Sequence, residues 1–275
     1  MNNTFIDKKV LITGGSSGIG LAIALQLAGM GANVCILARH ADKLAEALTG
    51  IEQHRISPQQ KFATISADVS DEAEVTARLQ EWVSQAGAPD FVFNCAGVAH
   101  PGRFEELDLE IFRWMMNVDY FGTLYVTKAI IPGMIQRKSG HIINFSSIAG
   151  LLGVYGYTAY GAAKFAVRGF SSALRDEMRL YGIHVSVVYP PDVQTPQLEY
   201  EMPYKPAITK IIAGEKPITA ENAAKAIIQG VARKKYAITP GFDASLYYLA
   251  LSMAGWLEKP VMDFMVDDAR RKIRS

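Results

Sequence analysis

A regular alternation of short apolar runs with longer amphipathic segments is the feature that most constrains the fold of this chain. Short apolar runs rich in β-branched residues predict buried strands, and the amphipathic segments between them predict helices. Strands that alternate with helices form a mostly parallel sheet through right-handed crossovers, with helices on both faces. We therefore predict an α/β fold whose doubly wound sheet has about seven strands. Strands are predicted at residues 10–13, 33–38, 62–66, 90–94, 141–145, 185–189 and 236–239.

The composition favours a single domain with no nucleic-acid partner. Hydrophobic residues make up 49% of the 275 residues, which is enough for one sizeable core. No Pro/Gly/Ser-rich linker, charge block or internal repeat divides the chain, so we predict one domain over residues 1–275. The formal net charge of +1 gives no reason to expect a strongly charged partner, and we predict no metal site.

The cysteines and the amino terminus indicate a reducing compartment. Cys35 and Cys95 both lie in apolar runs, which favours buried, inert thiols over a disulfide. The first residues lack the apolar segment of a secretory signal peptide. We therefore expect a cytoplasmic protein.

A glycine-rich turn follows the first predicted strand and opens the first predicted helix. Residues 14–20 read Gly-Gly-Ser-Ser-Gly-Ile-Gly. A strand, a tight glycine turn and a helix in this order can hold a pyrophosphate at the helix N-terminus, so this context predicts a single-domain Rossmann fold with a dinucleotide site. Cofactor contacts are assigned there to Gly14, Ser16, Ser17, Gly18, Ile19 and Gly20.

The same turn also matches the G-x-S-x-G nucleophile elbow of α/β hydrolases, through Gly14, Ser16 and Gly18. That elbow requires earlier strands to deliver an oxyanion loop, and only thirteen residues precede Gly14. Downstream of the turn, no acidic residue and histidine stand out as partners for a catalytic serine. A serine hydrolase is therefore the weaker interpretation.

Two further strand ends bear on the choice between NAD and NADP. The second predicted strand ends next to Arg39, where an acidic residue would bind the ribose 2′-hydroxyl of NAD. The Arg39 guanidinium can instead hold a 2′-phosphate, with Lys43 as a helper, which favours NADPH; the alternative is a solvated arginine at a helix start. Asp68 and Val69 are assigned to the adenine, and Ser70 is predicted to cap the next helix.

Residues 146–168 contain a hydroxyl, a phenol and an amine at spacings that can bring the three groups to one point. Tyr160 and Lys164 stand four residues apart, which puts them on one face of a helix, one turn apart. Ser147 lies thirteen residues before Tyr160 and follows the fifth predicted strand. A loop between strand and helix can therefore return the Ser147 hydroxyl to the phenol.

Two residues elsewhere are candidates for supporting roles. Asn117 lies inside an apolar helical segment, residues 108–131. A buried amide must find partners or cost roughly 1–3 kcal/mol, so Asn117 is either a satisfied core residue or the anchor of a water. Gly97, after the fourth predicted strand, is expected to let the chain pass close under the cofactor.

The C-terminal third contains two unusual segments. Residues 197–217 have weak periodicity and several prolines, which is typical of a lid or binding loop, and we predict a substrate lid over residues 190–217. Residues 246–257 are apolar but too short to span a bilayer, which needs about 20 residues. They predict a buried core or interface helix, or a helix on a membrane surface with the basic residues 270–274 beside it. We therefore treat residues 242–275 as an apolar extension with a basic tail.

Taken in order, these motifs resemble the short-chain dehydrogenase/reductase family over nearly the whole chain. The resemblance implies hydride transfer to a ketone, in which Tyr160 protonates the forming alkoxide and Ser147 orients the carbonyl oxygen. It also implies that Lys164 lowers the pKa of Tyr160 and holds the nicotinamide ribose, and that Asn117 anchors a water that resupplies the proton. The motifs that carry it are residues 13–20, Asn94-Cys95-Ala96-Gly97, Asn117, Ser147, and Tyr160-Gly161-Ala162-Ala163-Lys164.

The resemblance also assigns the remaining site residues. Ser146 is the nearest rival to Ser147, and the thirteen-residue spacing to Tyr160 favours Ser147. Further contacts with NADPH are implied for Asn94, Ala96, Gly97, Tyr160, Lys164, Pro190, Val193 and Thr195.

Within that family, residues 145–150, 156–160 and 189–206 are similar to the members that reduce 3-ketodihydrosphingosine with NADPH. This implies a lipophilic ketone of sphingolipid biosynthesis, with its ammonium near Glu199 or Glu201. Two alternatives stay open. The chain could reduce another apolar ketone of the 3-oxoacyl, steroid or retinoid type, or it could be a catalytically silent nucleotide sensor.

Two expectations concern larger partners. The apolar C-terminal segment predicts peripheral contact with a membrane, at its cytoplasmic face. The helices that begin near Asp108 and Tyr157 are apolar enough to predict a homodimer or homotetramer.

Overall fold

Parallel strands in the predicted positions form the central sheet of the computed structural model, which describes residues 4–213 and 216–274. The strands are β1 (Lys9–Thr13), β2 (Asn33–Ala38), β3 (Phe62–Ser66), β4 (Phe91–Asn94), β5 (Gly140–Phe145), β6 (Ile183–Val188), β7 (Val193–Gln194), β8 (Ile218–Thr219) and β9 (Ala237–Ile238). Seven of them pair in the order β3-β2-β1-β4-β5-β6-β9, all parallel, and β7 pairs with β8 in a small second sheet. The strand order reverses beside β1, so the prediction of a doubly wound sheet is confirmed.

Helices cover both faces of the sheet because successive strand residues point to opposite sides. Val10 and Ile12 of β1 belong to one hydrophobic core, and Leu11 between them belongs to the other. The first core also receives the helices over residues 18–28, 41–53 and 220–232, and the second receives those over residues 72–86, 122–137 and 158–179. The helices are α1 (Gly18–Ala28), α2 (Ala41–Gln53), α3 (Glu72–Ala86), α4 (Leu109–Met115), α5 (Gly122–Arg137), α6 (Thr158–Arg179), α7 (Pro196–Glu201), α8 (Ala207–Ala213), α9 (Ala220–Ala232), α10 (Phe242–Met253) and α11 (Glu258–Arg274).

The helix predicted over residues 108–131 contains a wide turn. A π-helical segment, Met116–Phe121, joins α4 to α5 without a break in helical geometry. A π turn holds more residues than an α turn and therefore rotates the following side chains relative to a 3.6-residue period. Asp119 consequently faces inward and is fully buried, whereas Asn117 is exposed.

The start of α3 differs from the prediction by one residue. Asp71, not Ser70, is the N-cap, and its carboxylate accepts a 2.9 Å hydrogen bond from the Glu74 amide. The Ser70 hydroxyl instead donates to Asp68 at 2.7 Å. The carboxylate provides the stronger acceptor for the unpaired amides of the first turn.

The segment after β6 is more ordered than its sequence indicates. It contains β7, α7 and α8, and the two short helices occupy much of the stretch over residues 197–217 whose weak periodicity predicted a loop. Thr195 begins α7 by accepting a hydrogen bond from the Leu198 amide at 3.3 Å, and Pro196 occupies the first helical position. Gly214 and Glu215 lie outside the described residues.

The apolar C-terminal run forms α10 and the short turn after it, but it is not a core helix. Met253 is 79% exposed and Trp256 is 77% exposed, while Leu246 and Ala254 line a cavity described below. The prediction of a buried core helix is therefore wrong for most of this run. Within the described ranges, no helix combines the length and the apolar character needed to span a bilayer.

Candidate active site

One cavity of about 750 Å³ runs along the carboxyl ends of the strands, from the glycine turn to the C-terminal helices. The central part of its wall is formed by Ser147, Tyr160 and Lys164, and α7, α10 and α11 close the far end. Most of the predicted site residues meet here. Those that line the cavity are Gly14, Ser17, Gly18, Ile19, Gly20, Ala96, Gly97, Ser147, Tyr160, Lys164, Pro190, Val193 and Thr195.

The glycine turn fits a dinucleotide pyrophosphate. Ser17 is the N-cap of α1, and its side chain makes no capping hydrogen bond, so the first-turn amides are free to bind an anion. Gly20 is required by close packing, because a Cβ there would lie 2.3 Å from the Gly14 carbonyl oxygen. Thr13, which belongs to the motif but was assigned no contact, ties this turn to the β4 end by accepting a 3.0 Å hydrogen bond from the Ala96 amide. Ser16, which was also predicted to contact the cofactor, does not line the cavity.

The residues assigned to the adenosine lie outside this cavity, at the ends of β2 and β3. Arg39 and Lys43 are exposed, and the Arg39 guanidinium nitrogen lies 3.8 Å from an Asp68 carboxylate oxygen. Val69 is buried beneath them and would contact any side chain added at Gly122. This corner therefore presents two exposed cations, Arg39 and Lys43, and the carboxylate of Asp68 at the ends of β2 and β3.

Asn94 does not reach the cavity, which contradicts its predicted contact with the cofactor. Its side chain is buried and donates to Thr127 at 3.1 Å and to Asn144 at 2.8 Å. Asn144 continues this chain of bonds to the Ser171 hydroxyl at 2.8 Å. The Asn94 amide nitrogen thus ties β4 and β5 to α5 and α6 beneath the site, whereas the buried side-chain oxygen of Asn94 accepts no hydrogen bond from the described part of the chain.

Helix α6 places the phenol and the amine as the four-residue spacing predicts. The Lys164 ammonium lies 5.4 Å from the centre of the Tyr160 ring and donates a 3.1 Å hydrogen bond to the Phe145 carbonyl oxygen. Ser147 lies on the cavity wall and hydrogen-bonds to Tyr160. The Ser146 hydroxyl is buried and donates to the Lys164 carbonyl oxygen at 2.9 Å. This geometry favours Ser147 over Ser146 as the hydroxyl that faces a ligand.

The protonation state of Tyr160 differs from the sequence expectation. Burial raises the pKa of Tyr160 well above its usual value, and the carboxylates of Asp119 and Glu201 raise it further. The hydrogen bond from Ser147 opposes these effects. The expectation of a lowered pKa included the positive charge of the oxidised nicotinamide beside Lys164. In the protein alone, burial of the phenol, and after it the nearby carboxylates, keeps Tyr160 protonated.

Asn117 does not line the cavity, so its role as the anchor of a water stays a prediction. Its side chain is exposed, whereas the Asp119 carboxylate, two residues later, lies 3.4 Å from the Lys164 ammonium. The same Asp119 oxygen accepts a 2.9 Å hydrogen bond from the Val98 amide. The sequence contains one usable signal for Asp119: an acidic residue inside an otherwise apolar helix is rarely buried without a partner.

The far end of the cavity holds a buried carboxylate among apolar side chains. Glu201 accepts a 2.7 Å hydrogen bond from the Tyr157 hydroxyl and a 3.1 Å bond from the Gln197 amide. Burial is the largest cause of a raised pKa at Glu201. Lys205, also buried, is paired with Asp192 at 2.6 Å. Glu199 is exposed, so of the two glutamates predicted near a substrate ammonium only Glu201 lines the cavity.

The cysteines match the prediction of inert thiols. Neither Cys35 nor Cys95 forms a disulfide. Burial raises the pKa of each thiol to about 12. At neutral pH the reactive thiolate form is therefore scarce.

Comparison with known proteins gives consistent matches over most of the chain. A model of the short chain dehydrogenase family matches residues 8–203. The 3-ketodihydrosphingosine reductase of Mus musculus is 40% identical over 239 residues, which are 86% of this chain and 70% of the mouse chain. The 3-dehydrosphinganine reductase of Danio rerio is 38% identical over 248 residues, covering 90% and 74% of the two chains. The crystal structure of levodione reductase matches with a TM-score of 0.79 at 26% identity, covering 88% of this chain and 99% of that one.

Proposed function

Because the chain belongs to the short-chain dehydrogenase family, and is therefore an oxidoreductase that uses a nicotinamide dinucleotide, we propose that it reduces the 3-ketone of a long-chain sphingoid base with NADPH. The observation that carries this proposal is the buried Glu201 carboxylate in the apolar end of the cavity. Such a base has an amine next to its ketone and a long apolar tail. The names of the Mus musculus and Danio rerio relatives describe the same reaction.

The cavity residues supply what the ketone needs. The reduced nicotinamide, when bound, supplies the hydride that adds to the carbonyl carbon. Tyr160 donates its proton to the carbonyl oxygen, Ser147 donates a hydrogen bond that orients that oxygen, and Lys164 lies beside the Tyr160 ring. The raised pKa of Tyr160 keeps the phenol protonated before reaction, as a proton donor requires.

Glu201 has the properties of a site for a cationic amine. Both of its side-chain hydrogen bonds come from the neutral groups of Tyr157 and Gln197. The nearest lysine, Lys205, is already paired with Asp192. A buried carboxylate without its own cation is costly, and a substrate ammonium would remove that cost.

Replacing Glu201 by Gln tests this substrate assignment. Truncating one partner of a buried charge pair costs about 2–5 kcal/mol, so kcat/KM for 3-ketodihydrosphingosine should fall roughly 30-fold or more. The amide keeps the acceptor for the Tyr157 hydroxyl. The measurement is steady-state NADPH oxidation with 3-ketodihydrosphingosine and with a ketone of equal chain length that lacks the amine.

The variant should lose little activity on the amine-free ketone, and the matched variant Glu199→Gln, at an exposed position, should behave like the wild type on both. A wild-type enzyme with no preference for the amine would contradict the proposal and favour another apolar ketone. In that case the Glu201 carboxylate would have no cation to bind.

The choice of NADPH rests on Arg39. The Arg39 guanidinium is exposed beside the end of β2, 3.8 Å from Asp68, and can turn to a 2′-phosphate placed at this edge. Replacing Arg39 by Ala should raise KM for NADPH roughly tenfold, because one charge-assisted contact is lost, and should leave KM for NADH nearly unchanged. Equal effects on the two cofactors would show that Arg39 does not bind the phosphate.

Two further expectations are retained as proposals. We propose that residues 190–217 act as the substrate lid, since their described part lines the far end of the cavity. The exposed apolar residues Met253 and Trp256 border the same end, so we propose that this face contacts a membrane from which a lipid ketone enters. The homodimer or homotetramer stays a prediction.

A further inference from the structure

Asp119 is a fully buried acid whose two oxygens have different environments. Oδ1 accepts from the Val98 amide at 2.9 Å and lies 3.4 Å from the Lys164 ammonium. Oδ2 is buried and accepts no hydrogen bond from any group in the described part of the chain. A buried carboxylate with so few donors keeps a strong field, because little of its charge is screened by solvent.

The surrounding backbone is shaped to hold this pair. A Cβ at Gly97 would lie 2.8 Å from the Asp119 oxygen and 3.2 Å from the Lys164 nitrogen, so only glycine leaves the space in which the two groups meet. The π turn provides the second half of the arrangement by turning Asp119 inward. Asp119, Lys164 and Tyr160 are thereby brought together from two helices.

The charges that face Tyr160 come from several elements. Lys164 lies one turn along the same helix, Asp119 belongs to the π turn, Glu201 belongs to α7, and Asp192 precedes β7. Each of the three carboxylates favours the protonated phenol. Of these, only Asp119 is also within 4 Å of Lys164, so it both acts on the phenol and offsets the cation beside it.

We propose that Asp119 is a positioning residue that pairs with Lys164 and keeps the proton on Tyr160, extending ketone reduction to alkaline pH. This inference rests on the proposed reductase activity but not on the identity of the ketone. Replacing the carboxylate by a neutral amide removes the charge and leaves the Lys164 ammonium to act on the phenol. The ionised phenol, which cannot donate a proton, would then form at lower pH.

The test is the pH profile of kcat/KM for reduction by Asp119→Asn. Its alkaline limb should move to lower pH by on the order of one unit or more, the usual size of such a charge effect. Two ketones are compared, 3-ketodihydrosphingosine and an unrelated ketone that the enzyme accepts. The same shift with both ketones is expected, and this separates the inference from the substrate proposal.

A measurement without substrate gives an independent readout. In protein labelled with ¹³C at the phenol carbon of tyrosine, the resonance lost in Tyr160→Phe identifies Tyr160. That resonance should titrate at lower pH in Asp119→Asn than in the wild type. The exposed Glu177, on the same helix as Tyr160, provides the control, since Glu177→Gln also removes a carboxylate and should leave both the profile and the titration unchanged. If the Asp119→Asn variant does not fold, the same two measurements are made on Asp119→Ser.

An unchanged alkaline limb together with an unchanged Tyr160 titration would overturn the inference. A shift of equal size in Glu177→Gln would also overturn it, because the effect would then not depend on the buried charge.

Discussion

Replacing Tyr160 by Phe is expected to lower kcat/KM for ketone reduction by about 10²–10⁴-fold, the usual contribution of a positioned general acid. The substitution removes the hydroxyl that donates the proton. The remaining ring keeps its packing against Tyr157, 5.5 Å between ring centres, and its position beside Lys164. The affinity for NADPH, measured by fluorescence titration, should therefore change little, and the loss should appear in kcat.

The matched control is Tyr181→Phe, which removes a phenol hydroxyl from an exposed tyrosine just after the end of α6. This variant should retain wild-type kinetics. If Tyr160→Phe oxidised NADPH at the wild-type rate, the assignment of Tyr160 as proton donor would be wrong, and a catalytically silent nucleotide sensor would become the better interpretation.

Replacing Gly20 by Ala is expected to damage the cofactor end of the cavity. The added methyl group would lie 2.3 Å from the Gly14 carbonyl oxygen and 2.8 Å from its carbon. Both atoms belong to the backbone, so the glycine turn itself must shift. Overpacking of this kind costs typically about 1–3 kcal/mol of folding free energy, and the displaced turn should bind NADPH at least about tenfold more weakly.

Gly29→Ala is the control for this substitution. Gly29 follows α1 with ordinary right-handed backbone angles, and a Cβ there would meet its nearest atoms at 3.6 Å and 3.7 Å. Chemical denaturation and NADPH titration should give wild-type values within about 0.5 kcal/mol. Wild-type affinity for NADPH in Gly20→Ala would contradict the assignment of the glycine turn to the pyrophosphate.

The strand pattern could be predicted because most of the sheet is buried on both faces. The bounds of β2 and β3 are the predicted ones, and those of β1 differ by a single residue. A parallel strand that is covered by helices must be apolar on both faces. The apolar stretch in its sequence therefore ends where the buried part of the strand ends. The functional residues at strand ends, such as Ser147, were found for the same reason.

The supporting acid Asp119 was missed because the helix that carries it changes its period, and its one sequence signal, an acid inside an apolar segment, does not show which way the side chain points. The motif and the 3.6-residue repeat both directed attention to Asn117, whereas the π turn exposes Asn117 and buries Asp119. Nothing in a single sequence announces such a turn, since it is stabilised by the tertiary contacts of Asp119 with Val98 and Lys164. The effect of Asp119 on the pKa of Tyr160 was missed with it.

The walls at the substrate end of the cavity could not be predicted from sequence patterns either. The helices α7 and α8 are too short for a reliable period. The apolar α10 reads like a core helix, but its apolar residues are divided between the cavity and the outer surface. Periodicity reports that a face is apolar and cannot report what covers it.

The most direct test of the proposed reaction is the transfer of deuterium to 3-ketodihydrosphingosine from NADPH that carries deuterium at both hydrogen positions of C4 of the nicotinamide. Hydride transfer at the site of Tyr160 predicts dihydrosphingosine that carries one deuterium at C3, detected by mass spectrometry, at a rate that matches NADPH oxidation. The Tyr160→Phe variant should form this product at least about 100-fold more slowly. NADPH oxidation without deuterated product, or no turnover of this ketone by the wild type, would contradict the proposed function.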